Sequence, residues 1–156
     1  MILRIYTIIH VVISLLGILS GFVVIVGMFS ANPLNDWTVF FLTTTVATSV
    51  TGFFFPVKHL MPSHIVGIIS LVVLAAVIYA RYPAQLAGNW RWTYVVGAVL
   101  AQYLNFFVLI VQCFQKIPAL KAIAPTQKEP PFAITQLLFL ILFVVLGVVA
   151  VLKFHV

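Results

Sequence analysis

Apolar residues in this chain do not alternate with polar ones; they run on. Five long apolar stretches stand out, at 5–29, 39–57, 64–80, 92–114 and 133–152. A helix needs about 20 mostly apolar residues to cross the roughly 30 Å hydrocarbon layer of a bilayer. Each stretch meets or approaches that length, the third being the shortest. The punctuation between them suits helix ends. Ser30-Ala31-Asn32-Pro33 follows the first stretch, Pro56 and Lys58 close the second, Pro62 precedes the third, and Arg81 and Lys153 follow the third and fifth. Barrel strands are excluded by continuity, since they would alternate and be about half as long. The pattern therefore predicts an all-α, polytopic transmembrane helical bundle of five spans, forming a single membrane domain over 1–156.

Composition sharpens this reading. Of 156 residues, 64% are hydrophobic and 6% charged, and the mean hydropathy is +1.26. Soluble domains carry about 25% charged residues, so this chain could not cover a globule's surface in water. Disorder is excluded because the chain is far too apolar. The first stretch is longer than the roughly 7–15 residues of a signal-peptide core. Phe29 would also occupy the −3 position if Ala31 ended a leader, so the segment reads as a retained span.

The net charge of +6 comes from basic residues scattered singly. They form no stripe that would track a phosphate backbone, and no nucleic-acid partner is expected. They read instead as topology signals and headgroup partners. In a five-span serpentine, Arg4, Lys58, Lys116, Lys121 and Lys128 share one side, and Arg81, Arg91 and Lys153 the other. That asymmetry favours a cytoplasmic N-terminus. Trp90-Arg91-Trp92, with Tyr82 and Tyr94, reads as an interfacial belt on the outer side. The proline-punctuated connection 115–132 is expected to lie on the inner face, with Lys116 and Lys121 reaching headgroups. Cys113 is the single cysteine; in an apolar run it reads as a small hydrophobe.

Polar side chains inside hydrocarbon must find partners. In the first stretch Tyr6, His10, Ser14, Gly17 and Gly21 share a helical stripe, and the two glycines form a small-xxx-small pattern suited to close helix contact or homo-oligomerisation. The second carries a threonine-rich segment, 43–52, in which Thr44, Thr48 and Thr51 share a face. The fourth places Gln102, Asn105, Leu109 and Gln112 on one stripe. Helix packing through hydrogen bonds is the ordinary account of each. Serpentine topology brings His10, Thr48, Thr51, Gln102 and Asn105 toward one inner region, and these five are the candidate polar pocket.

Several chemistries can be set against that pocket. His10 and His64, with His59 as a substitute, could ligate a b-type haem, though axial ligands constrain sequence loosely. Zinc would need further ligands that the sequence does not supply. The only carboxylates, Asp36 and Glu129, fall in connections on opposite sides, so no acid–base pair is expected. Ser63-His64 has no third group to orient the imidazole. No cofactor is expected apart from the haem alternative, and no enzyme.

Three regions, TTTVATSVTGFFFPVKHLMPSHIVGIISL (43–71), RWTYVVGAVLAQYLNFFVLIVQCFQKIPALKAIAPTQKEPPF (91–132) and the helix that follows, carry a resemblance. They resemble an uncharacterised family of small bacterial multi-spanning inner-membrane proteins. The resemblance implies a bacterial inner membrane and no activity. The stretch KHLMPSHIVGIISL is also similar to helix starts in b-type membrane cytochromes, whose full set of paired histidines is absent. Three functions follow in order: a non-catalytic accessory or lipid- or small-ligand-binding membrane protein, a small-solute transporter or channel, and a haem electron carrier. Membrane lipids are the expected partners, with a membrane-protein partner or a second copy after them.

Overall fold

The computed structural model describes residues 2–32, 34–54, 62–126 and 128–154. Helices account for nearly all of it: α1 (Ile2–Phe29), α2 (Asn35–Gly52), α3 (Pro62–Arg81), α4 (Asn89–Lys116), α5 (Pro118–Ile123) and α6 (Pro130–Lys153). No strand occurs among the described residues. A helix suits apolar sequence of this kind because it satisfies every interior backbone group within one segment, which lipid cannot do. Proline at the first positions of α5 and α6 fits the same economy, since an N–H there would be unpaired anyway.

The long helices form an antiparallel serpentine. Gly27 of α1 faces Leu34, Gly21 faces Phe41, Gly17 faces Thr44 and Thr45, and Gly52 faces His10. α1 and α2 thus pair in register along about 25 Å. α4 is the central helix, with α1, α3, α5 and α6 packed on it. We call the end where α1 begins, α2 stops and α6 begins the near end, and the opposite one the far end.

Four helices are long and apolar enough to cross a membrane: Ile2–Phe29, His64–Arg81, Asn89–Lys116 and Pro130–Lys153. The expected count of five spans is therefore corrected to four. The exception is α2, whose 18 residues include Asn35, Asp36, Ser49 and six threonines. Those side chains bring it below the apolarity of its neighbours, and it packs against α1 and α3 instead of forming another wholly apolar rod. The helix also covers 35–52, not 39–57; residues 55–57, Lys58 and His59 lie outside the described residues. The other helices extend a few residues past the predicted apolar edges, as expected where turns continue into the headgroup layer.

The chain is a helical membrane protein with its core displaced toward the far end. Val24, Met28, Phe41, Leu74, Val77, Tyr94, Ala98 and Phe143 belong to one buried cluster. Gly97 makes the α3–α4 contact close: a methyl there would come within 2.5 Å of Val77 Cγ2. A smaller cluster of Ile110, Phe114 and Ala124, joined by Leu120 and Phe132, seats the connection at the near end. There α5 has no buried residue, and Ile117 and Ile123 at its flanks are exposed.

Candidate functional site

The polar side chains singled out in the sequence fall into separate contacts strung along the bundle. Nearest the start of α1, His10 Nδ1 lies 2.7 Å from Thr51 Oγ1, and the Tyr6 hydroxyl donates to the Thr51 carbonyl. The Thr51 hydroxyl also lies 2.6 Å from the Ala47 carbonyl. Carbonyl oxygens only accept and the hydroxyl has one proton. If that proton goes to Ala47, His10 must donate from Nδ1. These contacts fasten the start of α1 to the last turn of α2.

Thr48 donates to the Thr44 carbonyl at 2.7 Å within its own helix. Asn105 Nδ2 donates to Thr45 Oγ1 at 3.3 Å, linking α4 to α2. Gln102 is fully buried and its Nε2 donates to the Ile18 carbonyl at 2.7 Å. Ile18 is two turns past His10, about 12 Å along α1. The structure therefore joins His10 with Thr51 and places Gln102 at a different depth. Gln112, on the predicted α4 stripe, is exposed.

Gln102 explains Gly21. A methyl on Gly21 would come within 2.0 Å of Gln102 Oε1 and 2.8 Å of Phe41 Cε1. The amide thus lies flat on the α1 backbone, with its Oε1 buried and without a hydrogen-bond partner. A Cα–H contact from Gly21 is the weak interaction such a geometry allows. Gly17 and Gly21 are both buried inside the chain, and their stripe serves α1–α2–α4 packing.

A polar cluster at the far end was not foreseen. Arg81, at the last turn of α3, donates from Nη1 to the Tyr94 hydroxyl at 2.9 Å and from Nη2 to Asn35 Oδ1 at 2.6 Å. Its guanidinium carbon is 5.1 Å from the Tyr94 ring centroid. Thr38, fully buried, also hydrogen-bonds Tyr94. Tyr94 is 1% exposed and so does not belong to the interfacial belt. Tyr82, Trp90 and Trp92 remain exposed at that end. The signal was available: serpentine topology places the starts of α2 and α4 beside the end of α3, and Asn35, Thr38, Arg81 and Tyr94 are among the polar groups there.

Beside this cluster, Arg91 reaches the last turn of α6. Its Nη1 donates to the Val151 carbonyl at 3.2 Å and to the Phe154 carbonyl at 2.5 Å. Those carbonyls lack intrahelical partners, and a cation there also meets the negative end of the helix dipole.

The two haem candidates make different contacts with the end of α2. His10 bonds Thr51, while His64 is buried and its ring centroid lies 5.7 Å from that of Phe53. His59 is outside the described residues. Among the described residues no three His, Cys, Asp or Glu side chains gather to hold a metal. Asp36 opens α2 at the far end, and Glu129 precedes α6 at the near end. Glu129 accepts from the Thr126 hydroxyl and from the backbone N–H groups of Thr126 and Lys128. These bonds, the Thr126 hydroxyl foremost, hold its carboxyl below the usual carboxylate range.

The geometry also contains an apolar groove between α4 and α6. Its volume is about 400 Å³, and Trp92, Val99, Tyr103, Phe143, Gly147 and Val151 are among its walls. Gly147 makes the floor, where a Cβ would touch Val99 at an ordinary 3.5 Å. Chemically the groove can take hydrocarbon and little else. Compared with protein-family models, curated proteins and solved structures, the chain matches none.

Proposed function

We propose that this protein is a non-catalytic membrane protein that binds a lipid or small apolar ligand. The observation that carries the proposal is the α4–α6 groove, a lateral apolar recess of about 400 Å³ on helices long enough to span a bilayer. That volume falls within the range of ligand pockets, which are mostly apolar. The polar side chains offer less: His10, Thr51, Gln102 and Asn105 all bond to neighbouring helices. Mass spectrometry of the protein purified in mild detergent tests the reading. One lipid or apolar molecule retained per chain through repeated washing is expected. A monodisperse protein carrying no such molecule would overturn it.

The proposal sets the protein in a bacterial inner membrane, supported by the resemblance of segments 43–71 and 91–132. It also has the near end cytoplasmic. Support comes from the near-end excess of Arg4, Lys116, Lys121 and Lys128 over Arg81, Arg91 and Lys153. A C-terminal tag cut by external protease in spheroplasts is expected, and a tag cut only after lysis sinks this orientation.

A further inference from the structure

The α4–α6 groove ends at the far end beside a cation, and that juxtaposition specifies its occupant. We infer that the groove holds one acyl chain of an anionic phospholipid whose phosphate is met by Arg91. The inference rests on the lipid-binding reading above and adds a headgroup to it.

Length is the first argument. From Trp92 to Tyr103 the α4 wall rises about 16 Å. Half of a roughly 30 Å hydrocarbon layer is about 15 Å. The groove therefore runs the depth of one leaflet, as a single acyl chain does. A transmembrane helix from a second chain would continue along the whole bundle.

Charge is the second argument. Val151 lines the groove, and its carbonyl accepts from Arg91 Nη1. The guanidinium is thus fixed at the groove's far-end mouth. It has five N–H donors in a planar fork suited to phosphate. Nη1 serves the two α6 carbonyls, and the residue remains partly exposed. Trp92 forms part of the wall and is 52% exposed, as suits an indole at headgroup depth. Among the described residues at the far end, Arg81, Arg91 and Lys153 stand against one acidic side chain, Asp36, a balance that favours a net negative headgroup.

The test is native mass spectrometry of delipidated protein titrated with a phosphatidylglycerol and, separately, a phosphatidylcholine of the same acyl chains. Phosphatidylglycerol is expected to bind about fivefold more tightly, the factor for about 1 kcal/mol per basic residue near an anionic surface. Arg91→Gln should bring the two lipids to parity, and Arg91→Lys should keep most of the preference. Gly147→Leu, which fills the floor, should weaken both lipids alike. Should Arg91→Gln fail to fold, salt decides in the unaltered protein: raising ionic strength must erode the preference while leaving phosphatidylcholine binding intact. Equal retention of the two lipids, a preference that survives Arg91→Gln, or one insensitive to salt overturns the headgroup assignment. Binding of neither lipid, with another apolar molecule retained on purification, also overturns it but leaves the broader reading standing. Only a protein that retains nothing apolar removes both.

Discussion

The two halves of the α1–α2 hairpin use similar residues and pack very differently. From Gly17 to Met28, α1 buries Gly17, Ile18, Ser20, Gly21, Val24, Ile25, Gly27 and Met28. From Ile2 to Leu16 it buries none, and only Tyr6, His10, Ile13 and Ser14 are even partly covered. The difference is the third helix. Beyond Gly17, α4 joins α1 and α2, and Gln102 reaches across to the Ile18 carbonyl. Before it, Tyr6 and His10 reach Thr51 of α2. Polar contacts hold both halves, but dense packing surrounds them in just one. A hydrogen bond set in a close-packed core cannot be altered without disturbing its neighbours. One at the edge of a helix pair can relax.

The sharpest way to break this contrast is to add one methyl at each end of the hairpin. Gly21→Ala drives a Cβ to within 2.0 Å of Gln102 Oε1. It must displace the amide and strip the Ile18 contact. Overpacking and the lost buried hydrogen bond together should cost about 3 kcal/mol. Gly52→Ala places its Cβ 3.7 Å from His10 Cε1, an ordinary contact. It should change stability by less than about 0.5 kcal/mol. Reversible unfolding in mixed micelles, followed by circular dichroism, measures both. Equal losses would mean the halves are packed alike.

Tyr94→Phe probes the packed half without changing its volume. It keeps the ring beneath Arg81 but removes the hydroxyl that receives Arg81 and pairs with Thr38. A hydrogen bond to a buried charged group is worth about 2 kcal/mol, and that loss is expected in the same unfolding measurement. Thr51→Val is the partner experiment in the open half. It removes the oxygen beside His10 Nδ1 and the bond to Ala47. Interhelical hydrogen bonds in membranes average about 0.6 kcal/mol, so a change of that size is expected. A loss above about 2 kcal/mol would show that the near end carries more of the fold than its exposure suggests.

The contrast also explains what was legible in the sequence. Unbroken apolar length located α1, α3, α4 and α6, because spanning lipid constrains length and apolarity directly. It overcounted at α2, where polar side chains on a helix of 18 residues make burial by neighbours, not apolarity, the deciding factor. Matching depths along a serpentine found His10 beside Thr51. It did not separate Gln102 from them, because depth alone does not show which helix faces which. Gln102 contacts α1 beyond Gly17, where Gly21 leaves room. Arg81 and Tyr94 read as surface markers because basic and aromatic residues usually sit at membrane interfaces. Their burial depends on Asn35 and Thr38 arriving from a helix that is distant in sequence. The groove had no sequence signal of its own; Gly147 opens it only once α4 and α6 are paired.

The smallest expected effect lies at the near end, outside the spans, and its sign can be worked out. Glu129 accepts from Thr126 and from the Lys128 N–H in the turn that leads into α6. Those bonds favour the carboxylate, so the folded pKa lies below the usual carboxylate value that the unfolded chain keeps. A group of this kind adds stability that is fully present above the unfolded pKa. The contribution disappears as pH falls through the folded pKa, because both states are then protonated. The turn should therefore loosen on acidification below the ordinary carboxylate range and be indifferent to pH above it. The side chain is partly exposed at the surface, so solvent screening keeps the effect local and the far-end core should not respond. Amide exchange at Thr126 and Lys128, corrected for the intrinsic pH dependence of exchange, reports the loosening; Thr126→Ala should abolish most of it by removing the principal donor. Protection at Thr126 that stays flat from neutral pH to well below the carboxylate range would show that the carboxylate does not organise the turn. A matching pH dependence at Tyr94 would show that the two ends are coupled, against the independence that their unequal packing implies.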